Sequence, residues 1–429
     1  MPRSPERILD LDRVVAETLD NGLRVRVLEE RSAPTVSCYT FYQVGSRNER
    51  PGLTGISHLF EHMMFNGAAK YGPKEFDRVL ESQGGHSNAY TSNDVTAYYE
   101  EFAAEALPTV LDLESDRMRS LAIAPDTLEQ ERAVVKEERR LRSENSVFGI
   151  MEEQLGGLVF QAHPYRWPII GWMDDIERIS REDCLAWFRV YYAPGNAALY
   201  VVGDVDARET LEQVRRAYGD IPAGPPVPPV PAAEPPQRGE RRAVVHYPAQ
   251  APALLAGWRA PAARDPDAYV LDVVQAALSM GESSRLRRRL VEEMELAVSL
   301  HVGYAWRRDP GVFMVFAELA PGVGPERAER ALLREIERVA VAGISAAELR
   351  RAQRLLRSAV LHELATHGGV AHALGEAEAL AGDFHQAGEA LERYARVAPR
   401  DVRRAAGAWL DAARRSVVVL EPEAPRERR

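Results

Sequence analysis

The pentapeptide His58-Leu59-Phe60-Glu61-His62 decides how the rest of the chain is read. On a helix, residues four apart share a face, so His58 and His62 reach a common point, and Glu61 borders the same face. Neutral imidazole is a ligand for Zn²⁺, and a carboxylate beside a metal-bound water can take its proton. The spacing matches the inverted zinc motif H-x-x-E-H. Histidine is scarce, 10 of 429 residues. Ile56, Leu59, Phe60, Met63 and Met64 surround the polar trio with helical periodicity. Paired histidines on a helix face are often only satisfied polar groups, so a third ligand is required. Catalytic zinc takes three protein ligands and keeps one position open.

The run Asp126 to Arg140 has helical composition and supplies the candidates. Glu131 and Glu138 are about two turns apart and project from nearly one face, whereas Glu137 is rotated roughly 100° away. Spacing favours Glu138 as ligand, with Glu131 one level along as the carboxylate behind it. The competing reading of the run is a solvated charged helix.

These residues, with Leu19-Asp20-Asn21-Gly22-Leu23, Gly45-Ser46-Arg47-Asn48-Glu49, Phe65-Asn66-Gly67, Gly84-Gly85, Asn88-Ala89-Tyr90-Thr91-Ser92, His163-Pro164-Tyr165 and Gly203-Asp204, occur in a telling order. The set resembles the pitrilysin/insulinase family of zinc metallopeptidases. It is most similar to the short branch that includes bacterial processing proteases and the mitochondrial processing peptidase. The resemblance spans roughly residues 15–220 and is fainter afterwards. It implies an α+β fold of two similar α/β-sandwich-like domains, each a mixed, mainly antiparallel sheet packed with helices. The two are related as an internal repeat and form half of a clamshell chamber. It also implies a zinc metalloendopeptidase or oligopeptidase acting on peptides or unfolded segments. Zn²⁺ would sit on His58, His62 and Glu138, with Glu61 as general base and Glu131 orienting the ligands. The strand around Asn88, Ala89 and Tyr90 would hold the substrate as an added strand, a mode in which main-chain hydrogen bonds carry the affinity. On sequence alone that strand reads as ordinary core. His86 reads as a strand-surface histidine and is left out of the metal shell.

One departure matters. Active single-chain relatives carry an Arg and, seven residues on, a Tyr in the second domain, which steady the substrate carbonyl. Aligned on Leu290 and Leu296-Ala297, this chain has Val291 and Val298 there, and neither can donate a hydrogen bond. Arg285, Arg287 to Arg289 and Tyr304 are nearby at the wrong spacing. The expectation is a zinc-bearing subunit of a homodimer or, with a related chain supplying the Arg/Tyr pair, a heterodimer. The rival from another class is a non-catalytic peptide-binding or scaffold subunit, and a different metal-dependent hydrolase is a further alternative.

Composition is that of an ordinary soluble globular protein: 45% hydrophobic and 28% charged residues. The net charge of −10 argues against nucleic-acid and anionic-membrane partners. Two cysteines, Cys38 and Cys184, make neither a disulfide framework nor a thiolate metal site. No apolar run of 18 residues and no leader-like segment is visible, so the chain reads as cytoplasmic as written, or periplasmic had a leader been removed.

Along the chain, Asn21-Gly22 marks a hairpin within 17–45, and Val36 to Val44 reads as a strand. The metal-motif helix begins near Leu53, and a helix runs from Pro73 to Gly84. Strands are expected at His86–Thr91 and Thr96–Phe102, and helices at Ala104–Leu121, Pro125–Leu141 and around Val147–Phe160. A helix over 179–191, a strand over 196–205 and a helix over 209–218 follow. The proline-rich stretch 221–240 favours extended polyproline II and reads as a linker. It separates a zinc-bearing domain, 1–220, from a degenerate copy, 241–429. In the copy, strands are expected at Arg242–Tyr247, Leu254–Trp258, Ser299–Trp306, Val312–Leu319 and Ser416–Leu420. Its helices are expected at Asp267–Met280, Glu282–Glu295, Pro325–Val341, Ala346–Leu364 and Ala387–Ala398.

Overall fold

A computed structural model describes residues 9–230 and 233–423. Among them, strands form two sheets. The first contains β1 (Val15–Thr18), β2 (Arg24–Glu29), β3 (Thr35–Tyr42), β4 (His86–Thr91), β5 (Thr96–Ala103) and β6 (Ala197–Gly203) in the order β1-β2-β6-β3-β5-β4. The second contains β7 (Arg241–Tyr247), β8 (Ala253–Arg259), β9 (Ala297–Tyr304), β10 (Val312–Leu319) and β11 (Arg415–Pro422) in the order β7-β11-β8-β10-β9. Without β1, the two orders are the same path. The first and last strands of each set pair parallel, β2 with β6 and β7 with β11. The remaining pairs are antiparallel. The second half is therefore a structural copy of the first, in an α+β class of mixed, mainly antiparallel sheets.

Helices packed in the first compact unit include α1 (Ile56–Met63), α2 (Glu75–Ser82), α3 (Leu107–Ser120) and α4 (Pro125–Arg139). β3 and β6 are buried nearly end to end, and the alternation of side chains explains why. Val36, Cys38 and Tyr42, with Leu199 and Val201, face the core that includes α1 and α3. Tyr39 and Phe41, with Ala198, Tyr200 and Val202, face a second apolar layer made with Val370, Ala371 and Leu374. Those three residues belong to a helix, His367–Glu376, whose sequence carries Gly368, Gly369 and Gly375. A side chain at Gly375 would meet the Phe41 ring at 2.0 Å, so only glycine allows this approach.

The compact units are consequently not contiguous in sequence, in contrast to the expected split at the linker. The first comprises Met1–Glu138, Trp167–Pro231 and His362–Glu389. The second comprises Arg139–Arg166, Ala232–Leu361 and Ala390–Arg429. It includes α5 (Val147–Val159), which lays Met151, Leu155 and Val159 against Leu255, Val418 and Leu420 of its sheet. Each sheet thus has one face covered by a helix that the other half of the sequence supplies. The expected helix over 387–398 is shorter, Ala390–Arg396, after a 3₁₀ turn Phe384–Gly388. The expected helix over 282–295 reduces to a π-helical segment, Arg287–Glu293, preceded by a short helical turn. No helix among the described residues is long and apolar enough to cross a membrane.

Between the first sheet and α3 lies a buried ion cluster. Arg117 Nη2 is 2.6 Å from Glu114 Oε1 and 3.2 Å from Glu100 Oε1, and all three side chains are sealed from solvent. Its guanidinium lies 4.5 Å from the Tyr98 ring centroid and 4.8 Å from that of Phe76. Burial and the neighbouring Glu114 push the Glu100 carboxyl well up, against the pull of Arg117. Removing the cation leaves two buried carboxylates unpaired. Arg117→Met should therefore lower the urea stability of the protein by about 3–5 kcal/mol, and an unchanged unfolding midpoint would show that the cluster contributes nothing.

Candidate metal centre

α1 is entered through its N-cap Gly55, whose φ of +88° suits glycine. A Cβ there would lie 2.5 Å from the Ile170 carbonyl oxygen. The buried Glu49 carboxylate accepts hydrogen bonds from the Gly55 N–H (2.8 Å) and the Ser57 N–H (2.9 Å), satisfying donors that the helix start leaves open. Burial pushes Glu49 up to about 8, while these two donors pull it back. Asp175 Oδ2 accepts from the Thr54 hydroxyl at 2.6 Å and from the Gly52 and Thr54 N–H groups at 3.2 Å each. On its inner side α1 buries Ile56, Leu59, Phe60 and Met63. The helix that carries both histidines is pinned at its entry and along its apolar face.

His58, His62 and Glu138 come together. Their ligand atoms lie within 4.8 Å of one another. Glu138 Oε2 is 3.6 Å from His58 Nε2 and 3.4 Å from His62 Nε2. Tetrahedral zinc with bonds of about 2.0–2.1 Å has ligand–ligand edges of roughly 3.3 Å, so the spacing fits that ion. His58 is buried, while His62 and Glu138 are half-buried, which leaves solvent access on one side. Two imidazole nitrogens and one carboxylate oxygen are the donor set of a three-ligand zinc site with an open position.

Glu131 lies behind His62. Its Oε2 is 3.3 Å from His62 Nδ1, and its Oε1 accepts from Asn66 Nδ2 at 3.0 Å. Asn66 Nδ2 also reaches the His62 carbonyl oxygen at 3.1 Å. A carboxylate on Nδ1 selects the tautomer that turns Nε2 toward Glu138. Burial works against protonation of His62. The Glu131 hydrogen bond and the charges of Glu138 and Glu61 outweigh it and raise the imidazole above its ordinary range. The His62 and Asn66 hydrogen bonds hold Glu131 below the usual carboxylate range. Three carboxylates around two imidazoles make a negative field that favours a cation. Sequence reasoning missed the supporting role of Asn66, although it sits four residues after His62, on the same face. It also missed the anchors Glu49, Thr54 and Asp175, whose partners become visible only on folding.

Asn88, Ala89 and Tyr90 lie on β4, the outermost strand of the first sheet, which among the described residues pairs with β5 alone. Asn88 is exposed, and its Oδ1 accepts the Ala89 N–H at 2.8 Å, so a side chain occupies a main-chain donor of the edge strand. α1 packs against β4. His86 is exposed on the same strand and faces Glu101 at 3.5 Å, apart from the metal-ligand cluster. In the second unit, Val291 lies in the π-helical segment, packed on its core, and Val298 is 52% exposed on the edge strand β9. The nearby cations are already engaged: Arg285 binds Glu348 through two hydrogen bonds of 2.8 and 2.7 Å, and Arg289 reaches Glu293 at 2.7 Å. Tyr304 is buried and donates to the Pro261 carbonyl.

The model of the insulinase family, peptidase family M16, matches residues 24–171, and that of the M16 inactive domain matches residues 178–356. The chain belongs to the M16 peptidase family. A curated relative, the zinc protease PqqE of Helicobacter pylori, is 34% identical over 336 residues, 77% of this chain and 76% of its own length. A probable mitochondrial-processing peptidase subunit beta from Arabidopsis thaliana is 25% identical over 382 residues, 87% of this chain and 71% of its own length. The crystal structure of a protease from Helicobacter pylori superposes with a TM-score of 0.92 at 29% identity, covering 95% of this chain and 99% of that one. The M16 peptidase set of motifs therefore rests on a shared fold over nearly the whole chain.

If Glu131 orients His62, Glu131→Gln should weaken zinc binding about 10- to 100-fold, whereas His62→Ala should abolish stoichiometric binding. Competition with a chromogenic chelator measures both. Wild-type affinity in Glu131→Gln would remove that carboxylate from the site.

Proposed function

We propose that this M16 peptidase-family chain is a zinc-dependent endopeptidase or oligopeptidase whose first half carries the chemistry and whose second half is its degenerate copy. The observation that carries the reading is the convergence of His58, His62 and Glu138 beside Glu61. Those three side chains would hold zinc, which supplies a Lewis acid for a peptide carbonyl and for water. His62 is held in register by Glu131, and His58 by its burial on α1. Glu61, between the ligands on α1, takes the proton of the attacking water on its carboxylate and hands it to the leaving amine. The edge strand β4 receives the peptide in extended form through main-chain hydrogen bonds, with Asn88, Ala89 and Tyr90 along the contact. The names of relatives called zinc proteases support the metal and the reaction class.

A second element of the reading concerns a partner. Val291 and Val298 provide no donor where active single-chain relatives place Arg and Tyr, and the neighbouring arginines are engaged elsewhere. The chain is thus read as the zinc-bearing member of a two-subunit enzyme, its partner supplying the donors for the substrate carbonyl. The plant relative, by its printed name, is itself a subunit.

Glu61→Gln should retain zinc and lose peptide cleavage by about 10²–10⁴-fold. Elemental analysis paired with hydrolysis of a quenched peptide tests this, and full turnover in the variant would overturn the base assignment. Zinc-loaded wild type that binds peptide yet cleaves none, with or without a related chain, would instead favour a non-catalytic binding subunit.

A further inference from the structure

The helix His367–Glu376 comes from beyond residue 361 but belongs to the first compact unit, where it covers the face of the sheet opposite α1. Its start is capped by Thr366, whose Oγ1 accepts the Gly369 N–H at 3.0 Å. Its last residue, Glu376, accepts a hydrogen bond of 2.6 Å from the Tyr90 hydroxyl. Tyr90 is on β4, so this helix grips the edge strand from behind. One turn earlier on the helix, His372 meets the Tyr90 ring edge-on at 5.8 Å and the Tyr39 ring at 6.3 Å. Its Nδ1 is 3.1 Å from Glu363 Oε1, and its Nε2 is 4.0 Å from Glu376 Oε1. Glu376 is thus bracketed by a phenol and an imidazole. Burial pushes its carboxyl up, and the Tyr90 hydrogen bond and the His372 charge pull it back.

The geometry has a consequence for an edge strand. Among the described residues β4 is bonded along one side only, and on the proposed reading its other side stays open for an incoming chain. Its position therefore depends on β5 and on what its side chains hold. A strand that shifts along its partner carries every bound residue with it, and a one-residue slip turns each side chain to the other face. We propose that Glu376, steadied by His372, is a positioning residue for substrate: by holding the Tyr90 hydroxyl it sets the register of β4 and so the place at which a bound peptide meets the metal ligands. This rests on the reading of β4 as the peptide-receiving strand. It assigns a role in substrate alignment to a segment of the second half of the sequence, remote from the His58–His62 motif along the chain.

The test uses the full zinc-loaded chain in a Glu61→Gln background, with fluorescently labelled β-casein as an unfolded probe and anisotropy as readout. Glu376→Leu should weaken binding about tenfold at unchanged zinc content, since it removes the acceptor of the Tyr90 hydroxyl's hydrogen bond. Glu376→Gln, which keeps an acceptor oxygen, should restore affinity to within about twofold of the parent. Tyr90→Phe deletes only the hydroxyl, and its loss should not add to that of Glu376→Leu in the double variant. Ala89→Pro, which removes the β4 main-chain donor that Asn88 Oδ1 accepts from in the free strand and that an incoming chain would take over, reports on the strand itself. Weakening by Ala89→Pro with parental affinity in Glu376→Leu would overturn the positioning role and leave the strand reading intact. Parental affinity in Ala89→Pro would overturn the strand reading, and the inference with it. Equal weakening by the Leu and Gln variants, or additive losses with Tyr90→Phe, would reduce Glu376 to general support of the fold. Should the Leu variant fail to fold, Tyr90→Phe decides: binding about tenfold weaker at unchanged zinc content, with Glu376→Gln near parental, supports the positioning role, and parental affinity in Tyr90→Phe overturns it.

Discussion

The candidate metal centre depends on holding α1 against α4. His58 and His62 share a face by helix geometry alone, but Glu138 arrives from a separate helix, and a tetrahedral ion tolerates little error in its ligands. Three restraints meet that demand. The Glu49 carboxylate caps the first turn of α1. Asp175 gathers the loop before it through Gly52 and Thr54. At the other end, Asn66 and His62 both bind Glu131, which lies two turns before Glu138 on α4. The hydrogen bond that orients His62 therefore also ties the two helices together, so the alignment of the site and the packing of the unit are one constraint.

Behind that site, the sheet is closed on both faces, and the closure explains the non-contiguous units. β3 and β6 are apolar on alternate residues in both directions, so neither face can remain in water. The local sequence covers one face with α1 and α3. The other face waits for residues 367–376. The second unit solves the same problem with α5 on its own sheet. The two copies thus complete one another's cores by exchanging helices. The same exchange brings Glu376 to the edge strand that the site would use.

Much of the first half was legible from residue order. The pair of histidines, the Glu131/Glu138 spacing, the Asn-Gly turn and the strands around residues 36–44, 86–91 and 96–102 are short-range patterns, and periodicity carries them. The second half repeated the order faintly, and the strand path confirms the repeat. The helix His367–Glu376 was missed because three glycines lower its intrinsic propensity. It forms because Gly375 lets the backbone approach Phe41 and because Val370, Ala371 and Leu374 bury against the sheet. The helix over 282–295 was expected to be longer, since Arg and Glu favour helix locally, but the chain turns there into the edge strand β9.

What the sequence by itself determined is which side chains are available for chemistry: an i, i+4 histidine pair with a carboxylate between, and two glutamates on one helical face. Side-chain spacing along a helix is local, so residue order suffices for it. What only the tertiary structure decided is convergence. It set Glu138 within 3.4–3.6 Å of both imidazoles, placed β4 at an open edge of the described sheet, and carried residues 367–376 back to the first sheet. These depend on long-range burial of two-faced strands, a property of the whole chain that no window of sequence contains.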